Sequence, residues 1–181
     1  MIRAARPRGL AALAIGAAAV IGAAAAAHPH AGTDRQAALT LGPDGVTLRL
    51  TMIPGTDEGP STAARIDADG DGAISGEEAD AEAARLLSAV TLLADGAPVP
   101  LEPGAAQAGP PDQLAAGFGL IVVDAAAPLN MADTNEIALR VAEPGEGWFV
   151  QPFYASGFTD AIGSPAIDRT DDGVVLRFSA P

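Results

Sequence analysis

Residues 67 to 78 read DADGDGAISGEE, a twelve-residue stretch with carboxylates at its first, third, fifth and twelfth positions and glycine at its sixth. Carboxylate oxygens are hard donors and calcium takes about six to eight of them in a flexible geometry, so this spacing can bend one chain around such an ion. Asp- and Gly-rich turns also occur in acidic proteins without an ion, and Ser75 with Glu78 has the spacing of a capping box for a following helix. The capping role is compatible with ion binding. A second group is His28-Pro29-His30, which contains both histidines of the chain. If His28 begins the mature protein, its α-amine and imidazole can chelate copper and His30 can add a nitrogen. A start two residues earlier would put His28 third, an arrangement suited to Cu(II) or Ni(II). An ordinary terminus without metal is the simpler alternative.

The loop at 67 to 78 resembles the calcium loop of the EF-hand family. On that resemblance Asp67, Asp69 and Asp71 supply side-chain oxygens, Ala73 offers its backbone carbonyl, and Ser75 acts directly or through water. Glu78 would bind with both oxygens, Gly72 permits the sharp turn, and Ile74 takes the apolar position used for packing. The likeness covers about residues 61 to 87. Family loops usually pair through their eighth residue, and no second DxDxDG occurs in this chain. Ile74 must therefore pack on the host domain or on a second copy. A lone loop fits a structural or modulatory site better than a sensor, which needs a partner hand to open against. The His-Pro-His start also resembles, more loosely, periplasmic proteins that handle nickel, cobalt or copper. That likeness implies an accessory role in transition-metal binding or transport, with another exported protein or a membrane transporter as partner.

The elements around the loop read as mainly β. Val46, Leu48, Leu50 and Met52 alternate with Thr47, Arg49 and Thr51, the pattern of a strand with one buried face. Ile137, Leu139 and Val141 repeat it, as do Val174, Leu176 and Phe178. The apolar run LIVV at 120 to 123 predicts a strand buried on both sides or a short core segment. Asp-Gly pairs at 44–45, 95–96 and 172–173 flank these runs and suit tight hairpin turns. Short strands joined by such turns predict an antiparallel sandwich-like domain. One EF-hand-like helix-loop-helix is inserted at about 59 to 88. Its leaving helix, from Glu77 to Leu87, should bury Ala79, Ala83, Leu86 and Leu87 and turn Asp80, Glu82 and Arg85 away. Gly59-Pro60 keeps the entering helix short. The stretch PGAAQAGPPDQ, 103 to 113, reads as an exposed loop.

The chain opens with Arg3, Arg6 and Arg8 and an Ala- and Gly-rich apolar run ending at Ala27. This predicts a signal peptide over 1 to 27, an uncleaved membrane anchor being the alternative. Residues 28 to 181 would then form one domain, periplasmic or secreted. The formal charge of −13 becomes −16 once three arginines are removed, and there is no lysine. Nucleic acid and anionic membranes are accordingly poor partners. Absence of cysteine excludes disulfides and a cysteine nucleophile. No GxSxG, GxGxxG, P-loop or HExxH is present, and both histidines lie near the start, so the expectation is a binding protein and not an enzyme. Five of the seven aromatics, Trp148, Phe149, Phe153, Tyr154 and Phe158, crowd one segment that reads as core, or alternatively as a binding surface.

Overall fold

Alternating apolar residues become alternating burial in the computed structural model, which describes residues 31–142 and 147–178. The predicted signal peptide, His28 and His30 lie outside the described residues. The chain begins with a hairpin, β1 (Asp34–Gly42) and β2 (Gly45–Ile53). Helices α1 (Gly59–Ile66) and α2 (Gly76–Ser88) follow, with the acidic loop between them. Next come β3 (Val90–Ala94), β4 (Ala97–Val99) and β5 (Glu102–Ala108). A short α3 (Pro111–Ala115) leads to β6 (Ile121–Pro128), β7 (Glu136–Val141) and β8 (Phe149–Tyr154). The short α4 (Phe158–Ile162) precedes the final hairpin, β9 (Ala166–Thr170) and β10 (Gly173–Arg177).

The fold is mainly β, with two five-stranded sheets ordered β5-β6-β2-β1-β8 and β4-β3-β7-β10-β9. All pairs are antiparallel except β1 with β8. That exception departs from the expected purely antiparallel arrangement and has a topological cause. Between β6 and β8 the chain visits the other sheet as β7, and such a crossover, unlike a hairpin, can return a strand parallel to its neighbour. Hairpin turns adjoin all three Asp-Gly pairs, but only Asp95-Gly96 is itself the turn; the other two turns are Pro43-Asp44 and Asp171-Asp172, with Gly45 and Gly173 opening the following strands. Asp95 and Gly96 both have positive φ, 49° and 79°, as a two-residue turn matched to strand twist requires. Asp95 also accepts the backbone N–H groups of Asn135 and Glu136, so the turn braces the start of β7.

The inward rows Leu39, Leu41, Leu48 and Leu50 of one sheet and Ile137, Leu139, Val174 and Leu176 of the other belong to one hydrophobic cluster. Ile66 of α1, Leu86 of α2 and Phe158 join it, which seats the helical pair on the strands.

Three expectations are corrected. Ile121 and Val123 are buried but Val122 is only half-buried and Leu120 lies exposed before the strand, so β6 alternates like its neighbours. The stretch 103 to 113 is not a loop, since it supplies most of edge strand β5 and the start of α3. An edge strand needs only one hydrogen-bonded neighbour, so it tolerates Pro103 and the register shift between Pro103 and Ala106. The aromatics split instead of forming a unit. Trp148 and Phe158 are buried, whereas Phe149 and Phe153 project outward from β8 and are 57% and 45% exposed.

Candidate metal centre

The acidic loop is defined by what ends α1 and what starts α2. Pro60 in the first turn of α1 suits a helix start, because proline lacks an N–H that would have no intrahelical partner there. Glu58, just before it, accepts hydrogen bonds from Thr33 Oγ1 at 2.7 Å and from Arg35 Nη2 at 2.8 Å, tying the helix start to the first strand. At the other side of the loop Ser75 caps α2. Its hydroxyl accepts the N–H of Glu78 at 3.3 Å, and Glu78 Oε2 accepts the N–H of Ser75 at 2.9 Å. Glu77 and Glu78 in that first turn also complement the positive end of the helix dipole.

Within the loop the carboxylates fold the backbone around themselves. Gly72 N–H donates to Asp67 Oδ2 at 3.2 Å, Asp71 N–H to Asp69 Oδ1 at 3.1 Å and Ala73 N–H to Asp71 Oδ1 at 2.8 Å. Gly70 and Gly72 have φ of 71° and 85°, and no atom lies within 4 Å of the position a Cβ would take at either. Glycine is needed there for backbone conformation and not for space.

The result is that one oxygen from each of Asp67, Asp69 and Asp71 lies within 4.8 Å of the other two. Two oxygens on opposite sides of one calcium, each at about 2.4 Å, are about 4.8 Å apart, so no pair among the three is too widely separated to share one ion. Asp67 Oδ1 is buried and has no hydrogen-bond partner. A buried carboxylate oxygen left in that state is unfavourable unless a cation or a bound water satisfies it. These residues therefore fit a hard divalent cation.

Glu78 is placed differently. Its Oε1 accepts Ala68 N–H at 2.8 Å, and its Oε2 accepts both the N–H and the hydroxyl of Ser75 at 2.9 Å. Those bonds, led by the Ser75 backbone N–H, hold the Glu78 carboxyl below the usual glutamate range. Glu78 thus reaches back from α2 to the second residue of the loop and is ionised at neutral pH. It is not part of the three-carboxylate cluster, and the Ser75 hydroxyl is engaged with Glu78. Ala73 lies in the same loop, exposed. Ile74 is half-buried against the hydrophobic cluster, so the host domain supplies its packing partner.

Helix α2 runs one residue beyond the expected span at each end and buries Ala79, Ala83 and Leu86 as expected, with Leu87 half-buried. Glu82 is the correction. Its side chain is 4% exposed and is held by Arg65 of α1 and Arg85 of α2. A signal for this was present, because Ala79, Glu82, Ala83 and Leu86 follow the i, i+3, i+4, i+7 stripe of a buried helix face. Arginines at 65 and 85 supply the charges that a buried carboxylate needs.

Elsewhere, Arg49 and Asp124 form a two-pronged pair across β2 and β6 at 2.7 and 2.9 Å. The hydrogen bond to Arg49 lowers the Asp124 pKa. No family model matches the chain, and comparison with curated proteins and with solved structures finds no significant match to either.

Proposed function

We propose that this is an exported calcium-binding protein without intrinsic catalysis, in which one EF-hand-like loop staples a helical pair to a β-sandwich. Asp67, Asp69, Asp71 and Glu78 would supply carboxylate oxygens, with Ala73 and Ser75 completing the set. The observation that carries the reading is the convergence of one oxygen from each of the three aspartates within 4.8 Å, together with a buried, unpartnered oxygen on Asp67. Packing of Ile74 on the host cluster supports a structural role over a switching one. A free protein in the periplasm or outside the cell meets calcium at concentrations where a modest site of this kind is useful, with a dissociation constant of about 10⁻⁴ to 10⁻³ M.

Calorimetric titration with calcium tests this. One site is expected, lost in Asp67→Asn and in Glu78→Gln. Absence of both binding heat and any melting shift up to several millimolar calcium would defeat the proposal.

A further inference from the structure

We infer that Glu82 is a positioning residue for the ion: through Arg65 it joins α1 to α2 and sets the separation of the two ends of the loop. The inference rests on the calcium reading. The donor set is divided between two helices, Asp67 just beyond the last turn of α1 and Glu78 in the first turn of α2. Affinity then depends on how those two ends are held, because ligand positions must be fixed to about half an ångström.

Direct contact between the two helices is the smaller part of their packing, although Ile66 and Leu86 share the core cluster. Helix α1 rests chiefly on α3, and α2 rests on β5, so each is seated on a different part of the domain. The buried carboxylate of Glu82 crosses the gap. Its Oε2 accepts Arg65 Nη1 from α1. The same carboxylate accepts Arg85 Nε at 2.9 Å and Nη2 at 2.8 Å from its own helix. Arg65 stands two residues before Asp67, and Glu82 stands about one helical turn beyond Glu78. The link therefore braces the loop from behind and does not touch the ion.

Its two arms differ in a way that makes the role testable. The bond to Arg65 connects the helices, whereas the bonds from Glu82 to Arg85 join two residues of α2. Loss of either arginine removes one positive charge near the site, which by charge alone should tighten calcium binding. Positioning predicts the reverse for Arg65 only.

The experiment compares calcium affinity by calorimetry in the parent chain, Arg65→Met, Arg65→Lys, Arg85→Met and Glu82→Gln, with melting in EDTA recorded for each. Arg65→Met should weaken calcium roughly tenfold, the scale seen when groups behind metal ligands are removed. Arg65→Lys should recover part of the loss, and Arg85→Met should stay within about twofold of the parent. Glu82→Gln should follow Arg65→Met. If it does not fold, the arginine variants decide alone. Unchanged or tighter binding in Arg65→Met, or equal losses in both methionine variants, overturns the inference while leaving the calcium site intact. A parent chain that binds no calcium removes the site itself and the inference with it.

Discussion

Replacing Asp69 by asparagine should reverse sign with calcium. The three clustered carboxylates are within 4.8 Å of one another, so in water each like-charged pair repels by about 0.9 kcal/mol or more before screening. Ions at physiological strength, with a Debye length of about 8 Å, reduce this to roughly half. Asp69 takes part in two such pairs, and asparagine keeps the oxygen that accepts the Asp71 N–H. Without calcium, Asp69→Asn should therefore stabilise the protein by about 1 kcal/mol, a rise of roughly 2 to 4 °C for a domain of this size. With calcium the order changes. For a dissociation constant of about 10⁻⁴ to 10⁻³ M, roughly 10 mM calcium stabilises the parent by about 1.4 to 2.7 kcal/mol, a gain that the variant largely forgoes. The sole tryptophan, Trp148, is buried, so its emission follows unfolding directly. Melts in EDTA and across a calcium series should give curves that cross. A variant less stable than the parent in EDTA, or one that gains as much from calcium, would refute the reasoning.

Other consequences are more local. Gly173→Ala would press a methyl against the backbone carbonyl of Leu139 in the neighbouring strand, so a loss of roughly 1 to 3 kcal/mol should appear in urea unfolding. Leu39→Ala empties a fully buried position between strands and should cost about 2 to 5 kcal/mol by the same measurement. Burial raises the pKa of Tyr154, the only tyrosine, so absorbance titration of the native protein should find a midpoint above the usual phenol value that falls back in denaturant. Glu78 has a lowered folded pKa, so its contribution is complete above the unfolded glutamate value and is lost as pH falls through the folded one. Stability in EDTA should decline with acid over that window in the parent and decline less in Glu78→Gln.

What could be read from sequence was what local periodicity dictates. The row Val46 to Met52 alternates because one face of its strand meets the core, and in β7 Ile137, Leu139 and Val141 are buried as read, with Ala138 buried as well. The turn at Asp95-Gly96 was legible because few residue pairs accept two successive positive φ values. The parallel pairing of β1 with β8 was not, since it depends on where a distant crossover returns the chain. Strand β5 was hidden by its proline and glycine content. At Gly104 a Cβ would approach the Asp124 carbonyl oxygen to 3.1 Å, so glycine there serves close strand packing rather than a loop. In the acidic loop the spacing anticipated the convergence of Asp67, Asp69 and Asp71. Glu82 was missed because a charge on a helix was assigned to solvent by residue type, although its position lay on the apolar stripe.

The packing of the loop also bears on what calcium would do. A sensor releases a hydrophobic groove, commonly rich in methionine, when its helices open. Here Met52 and Met131, the two methionines among the described residues, are buried within the core, 3% and 0% exposed. The apolar residue of the loop, Ile74, packs against that same core. The host domain thus occupies the place of a second hand, and opening the helices would pull Ile74 and Leu86 away from it. Ion binding under the proposed reading adds to the cohesion of the whole domain. Calcium should accordingly raise the unfolding temperature while leaving Trp148 emission and far-ultraviolet dichroism of the folded protein nearly unchanged, a combination that a groove-opening sensor does not give.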